Sequence, residues 1–274
     1  MREIYCDESG YEGEKLIDTT TELFAHASVA VPDADAVLAE LRARVRSPAT
    51  QYKAGHLLRA KHHATLTWFL GPDGPMRGRG RVFLVDKAWL LALRTGELTG
   101  MPPAEVYARP PYHLAAANDV LRGKDRPGVV DEFVRVWDLP GCRERAELFR
   151  AWLRTDPVVN SVLDPLVPAI VAAVHHWSTV DGGGAVIVAH DRQIMLPPAR
   201  VDRVRELCAG RLAGMRLRDA QHQPQIQVAD MLAGTVRALA TRMRAGRTGN
   251  STADVIRPYV DETSILPATR KKSQ

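Results

Sequence analysis

Apolar and polar residues alternate over short stretches early in the chain, and helical spacing takes over later. Arg2 to Cys6 reads as a strand ending in Asp7-Glu8, broken by Ser9-Gly10 and Gly13. Glu22 to Val31 reads as a second strand, closed by Pro32. Two strands joined by a turn predict an antiparallel opening. Asp33 to Arg46 is a helix with Asp33 as its cap and Val37, Leu38, Leu41 and Val45 as its apolar stripe. The spacing predicts a second helix over His56 to Leu70, stopped by Gly71-Pro72, and a third strand over Arg81 to Asp86.

From Lys87 to about Val180 the periodicity is helical. Ala88–Leu98, Tyr112–Leu121, Val129–Val136, Arg143–Leu153 and Val158–Trp177 are predicted helices, separated by prolines. No repeat period recurs, so the block reads as a helical insertion over about 88–180. After Gly182-Gly183-Gly184, the run Ala185 to Ala189 is apolar and β-branched and ends at His190-Asp191, which predicts a buried strand. Pro197–Ala209 reads as a helix with an early proline, Met215–Arg218 as a short strand ending at Asp219, and Gln227–Arg244 as the last helix. The tail over 250–274 is expected to be extended or disordered. An antiparallel opening followed by βαβα predicts an α/β fold with a mixed sheet, in one domain over 1–249 that carries the insertion.

Composition changes this picture little. With 274 residues and 45% hydrophobic content, the chain can bury a sizeable core. The net charge of +5 and pI near 9.3 lean mildly towards polyanionic partners. Cys6, Cys142 and Cys208 are odd in number and far apart, which argues against a disulfide scaffold or zinc site and fits a reducing cytoplasm. The start runs straight into a charged motif, unlike a signal peptide, and no stretch approaches the roughly 20 apolar residues of a membrane span. The expectation is a cytoplasmic protein with no membrane partner; the sequence leaves its oligomeric state open.

Three acids occupy distinctive places. Asp7 and Asp191 end strands, and Asp230 is expected on the first turn of the last helix. Strand ends in an α/β sheet line the ligand crevice. Acids gathered there repel one another unless a cation intervenes, and Mg²⁺ or Mn²⁺ held by carboxylates suits phosphodiester hydrolysis. Singly, each acid has an ordinary reading: Asp7 as turn chemistry, Asp191 as a loop acid, Asp230 as an arginine partner. No GxSxG, Walker A or HExxH pattern competes.

Asp7-Glu8-Ser9-Gly10, His190-Asp191 and Gln227-Val228-Ala229-Asp230-Met231-Leu232-Ala233-Gly234 together resemble the bacterial domain-of-unknown-function family 3800, from Ile4 to Ala238. The family is marked by an N-terminal DESG-type motif and a C-terminal QxADxxAG helix. The resemblance implies a ribonuclease-H-like sheet with Asp7, Asp191 and Asp230 as metal ligands, and it places Lys53 and His56 near the site. Members of the family often carry a Glu-x-Lys where this chain has Gln51-Tyr52-Lys53. Glutamine offers an oxygen without charge, so Glu8 is an alternative fourth carboxylate, although strand alternation turns it away from Asp7.

Other residues are weighed as supports. Gln227, one turn before Asp230, would hydrogen-bond Asp230 or cap the helix. Asp219 would add an acid or pair with Arg216 and Arg218. Lys87 would meet phosphate or form a strand-end salt bridge. Gly234 would permit close packing, and His190 is expected to be structural. The leading expectation is a Mg²⁺- or Mn²⁺-dependent hydrolase, a nuclease cleaving RNA or DNA, with Asp7, Asp191, Asp230 and Lys53 as its catalytic residues. The alternatives are a phosphoesterase on a nucleotide or small phosphorylated molecule, and a catalytically weak nucleic-acid-binding or defence-associated protein.

Overall fold

The computed structural model describes residues 1–47, 52–192, 196–247 and 250–268. In chain order the elements are β1 (Arg2–Ser9), β2 (Leu23–Val29), α1 (Ala34–Val45), α2 (Ala54–Leu57), α3 (His63–Leu70) and β3 (Gly80–Asp86). Six helices follow: α4 (Lys87–Thr99), α5 (Pro103–Tyr107), α6 (Pro111–Leu121), α7 (Val129–Trp137), α8 (Cys142–Thr155) and α9 (Leu166–Thr179). Then come β4 (Val186–Asp191), α10 (Pro198–Leu207), β5 (Leu212–Arg218), α11 (Pro224–Arg244) and α12 (Asn250–Ile256). No helix among the described residues is long and apolar enough to cross a membrane.

The fold is α/β. Its five-stranded mixed sheet has the order β3-β2-β1-β4-β5. β1 runs antiparallel to β2, with Asp7 opposite Ala27 and Glu8 opposite His26. It runs parallel to β4, with Cys6 opposite His190, and β4 runs parallel to β5, with Asp191 opposite Arg218. Every residue of β2 is buried, and so are Val186, Val188, Ala189 and His190 of β4, as strands covered on both faces require.

The chain divides into two compact units. The first comprises 1–11, 24–84 and 166–264; the second comprises 12–23, 85–165 and 265–274. The helical stretch is thereby split, with residues up to Pro165 in the second unit and α9 in the first.

In the first unit, helices cover both faces of the sheet. Trp177 of α9 donates from Nε1 to Ser28 Oγ at 2.8 Å, and Ser28 sits opposite Cys6. That fixes α9 on the Cys6 face. α11 packs on the other face of β1, where a Cβ on Gly234 would stand 2.7 Å from Ala54 Cβ and 3.6 Å from Ser9 Oγ. Only glycine lets this helix come so close. α1 forms as the sequence predicts: the Asp33 carboxylate accepts from Ala36 N–H at 2.8 Å, and the predicted stripe is buried.

In the second unit, α6 and α7 pack together, burying Leu114, Val120 and Phe133. Asn118 of α6 accepts from Leu16 N–H and donates to Glu14 O, tying the 12–23 segment to that helix. Lys87, with a side chain only 2% exposed, forms an ion pair with Glu12 at 2.7 Å. That is the salt-bridge reading of Lys87.

Four expectations need correction. The helix expected over His56–Leu70 is broken into α2, a 3-10 turn at Ala60–His62 and α3. Arg59, between the two pieces, has extended backbone at φ −74° and ψ 139°, so the helical path stops after Leu58 and restarts in a new direction. The helix expected from Val158 begins only at Leu166. Pro165 disfavours helical backbone at Asp164, and Pro168 fits only in a first turn. Pro224 starts α11 a turn earlier than expected, which places Asp230 on its second turn.

The tail, expected to be extended or disordered, is ordered through the described residues. α12 and the segment after it anchor on Tyr259, which is fully buried and donates its hydroxyl to Leu70 O at 2.9 Å. Val82 N–H donates to Tyr259 O at 2.7 Å, and Arg81 pairs with Asp261 at 3.1 Å. Burial of one large aromatic side chain outweighs the turn-forming composition around it.

Candidate active site

The ladder between β1 and β4 sets the first two acids. Asp7 and Asp191 lie one step beyond the Cys6–His190 pair on neighbouring parallel strands, so they stand side by side on one face, their backbones about 4.8 Å apart. β1 runs on to Ser9, which keeps Asp7 within regular strand and only 6% exposed. The close approach of α11 at Gly234 brings in the third acid, one turn earlier at Asp230. Asp7, Asp191 and Asp230 line one cavity of about 200 Å³ together with Lys53, Gln227 and Asp219.

Each acid has a fixed first partner. Asp7 Oδ1 accepts from Glu8 N–H at 2.7 Å, and Asp191 Oδ1 accepts from Ala220 N–H at 3.0 Å. Asp230 Oδ2 accepts from Lys53 Nζ at 2.6 Å. Gln227 does not bond Asp230. Its Nε2 donates to Ala220 O at 2.8 Å and Gln221 O at 3.3 Å, holding the turn whose N–H grips Asp191. Asp219 closes the same turn by accepting from Gln221 N–H at 2.9 Å. It does not pair with Arg216, which reaches Glu3 instead.

The electrostatics show crowded negative charge. Burial, followed by the charges of Glu8, Asp230 and Asp191, pushes the Asp7 carboxyl up to about 9. Burial also raises Asp230; the Lys53 hydrogen bond opposes that rise and the Asp191 charge adds to it. For Lys53, burial works against the ammonium, but the bond to Asp230 and the field of all three acids outweigh it and raise its pKa.

The structure does not bring every sequence candidate to this cavity. Glu8 faces the other side of the sheet, where its Oε2 lies 3.8 Å from His190 Nε2. The two-residue period of the strand makes this unavoidable once Asp7 points into the cavity. His56 caps its own short helix, its Nδ1 accepting from Lys53 N–H at 3.2 Å. Gln51 lies outside the described residues.

His190 is structural, as expected. It is fully buried and stacks on His26, with ring centroids 5.2 Å apart. Its Nδ1 is 2.9 Å from Asp191 O, which can only accept, so Nδ1 carries the proton. Burial holds both imidazoles neutral. His190 Nε2 is therefore the acceptor for His26 Nε2–H at 3.2 Å.

Tyr52, Ala220 and Gln221 also line the cavity, and Arg218 stands across the ladder from Asp191. Arg218 was legible only as a strand-end cation, because its strand partner follows from pairing between distant segments.

The donor set suits a hard divalent cation: three carboxylates whose crowding a cation would relieve, beside an ammonium that already stands in for one. Among the described residues, no group of three or more His, Cys, Asp or Glu side chains is placed to hold a metal ion. The Lys53 ammonium takes up one carboxylate oxygen of the set. No family model, no curated protein and no solved structure matches this chain.

Proposed function

We propose that this chain is a metal-dependent phosphodiesterase, a nuclease acting on RNA or DNA, built on a ribonuclease-H-like sheet. The observation that carries the reading is the convergence of Asp7, Asp191 and Asp230 on one cavity from two parallel strands and a helix. The antiparallel opening strand and the parallel strands after it agree with such a sheet.

Asp7, Asp191 and Asp230 would hold Mg²⁺ or Mn²⁺. The bound metal would supply an activated water and neutralise charge at the phosphodiester. The chain's own residues do the rest. Gln227 and the Ala220 turn keep one oxygen of Asp191 fixed, so its other oxygen keeps a constant direction. Glu8 N–H does the same for Asp7. Lys53 presents a cation at the cavity mouth, where a non-bridging phosphate oxygen would lie.

The cavity is smaller than the roughly 300–1,000 Å³ of pockets that enclose whole small molecules. That favours a strand laid across the site over an engulfed nucleotide.

The test is cleavage of labelled RNA and DNA with and without Mn²⁺. Wild type should cleave only with metal, and Asp7→Asn and Asp191→Asn should each lose at least about a hundredfold in rate. Wild-type inactivity on both polymers, with turnover of small phosphoesters, would move the assignment to a small substrate. Salt-dependent binding without turnover would leave a nucleic-acid-binding protein.

A further inference from the structure

We infer that Lys53 is the resident cation of the carboxylate cavity: it holds Asp230 until a divalent metal takes its place, and so sets the metal affinity of the site. The inference rests on the proposed metal-dependent activity and adds a role for one residue.

The three acids are held in unequal ways. Asp7 and Asp191 are each engaged by a backbone N–H on one oxygen, which leaves the other oxygen for a metal. Those bonds survive metal binding. Asp230 is held by a side-chain cation instead, with Lys53 Nζ 2.6 Å from Oδ2. The Asp230 side chain is 18% exposed, whereas that of Lys53 is 62% exposed. The carboxylate therefore belongs to the cavity wall, and the ammonium reaches it from the solvent side on a flexible four-carbon stem.

Withdrawing that stem leaves the sheet and α11 untouched. It frees Asp230 Oδ2, which the ammonium otherwise occupies, on the third acid that lines the cavity. An arriving metal must compete with the ammonium for Asp230 and also meets its repulsion. Once displaced, the ammonium lies at the mouth, placed for a phosphate oxygen of the strand. One lysine would thus lower metal affinity in the resting protein and strengthen substrate binding in the loaded one.

The experiment is a calorimetric titration of the full chain with MnCl₂, comparing wild type, Lys53→Met, Lys53→Arg and Asp230→Asn, each checked for folding by circular dichroism. Lys53→Met removes the charge at similar length, and Lys53→Arg keeps it. Expected is Mn²⁺ binding roughly three- to tenfold tighter in Lys53→Met, in keeping with the modest strength of a half-exposed ion pair. Lys53→Arg should stay within about twofold of wild type, and Asp230→Asn should bind more weakly than wild type. Equal or weaker binding by Lys53→Met, with Asp230→Asn still impaired, overturns the role of Lys53 and leaves the metal-dependent activity standing. Absence of Mn²⁺ binding in every variant overturns both.

Discussion

Asp7 carries a thermodynamic burden that its surroundings make measurable. Its carboxyl titrates near 9 when folded and near its ordinary value of 3.8 when unfolded, so the folded state binds the proton more tightly. The stability tied to that proton is fully present below the unfolded value and is lost as pH rises towards 9. Asp7→Asn removes the dependence. In metal-free buffer the variant should melt above wild type at pH 8, and the gap should close towards pH 4; a constant gap in differential scanning fluorimetry would contradict the crowding around Asp7. Gln227 offers a second test, since it acts on Asp191 only through the Ala220 turn. Gln227→Ala should cost about 1 kcal/mol of stability by urea denaturation. It should also lower kcat with little change in KM, because Asp191 loses its fixed direction.

At the scale of elements, the approach of α11 to β1 decides where Asp230 sits. Gly234→Ala would add a methyl 2.7 Å from Ala54 Cβ, a group fixed to backbone that cannot swing aside. Alanine favours a helix by about 1 kcal/mol over glycine, yet overpacking of this kind costs about 1–3 kcal/mol. A net loss of stability is expected in chemical denaturation, with metal affinity falling as Asp230 shifts. The strands and the last helix were legible because their patterns are local: a β-branched run after three glycines, and a long apolar period over Gln227–Arg244. The break at Arg59 was not, since its extended backbone is marked by no proline or glycine beside it in the sequence. Asp7, Asp191 and Asp230 could be singled out from their places in strands and helix. Their side-by-side geometry depends on a parallel ladder between distant segments, which no local pattern specifies.

At the scale of the molecule, the first unit is closed by its own end. Tyr259 fills its core and bonds Leu70 O, so the stretch after α11 is a structural part of the unit. Tyr259→Phe should cost about 1 kcal/mol, Tyr259→Ala about 3–5 kcal/mol, and deletion from residue 250 onwards more than either, all read by urea midpoints. The pairing of β1 with β4 has a consequence for how the protein is made. Translation adds about 5–20 residues each second, so β4 leaves the ribosome on the order of 10 s after β1. Throughout that interval Asp7 has neither Asp191 nor Asp230 beside it. A nascent chain of the proposed activity would therefore emerge inert beside the message that encodes it, and would become competent only once α11 had followed β4 out of the ribosome.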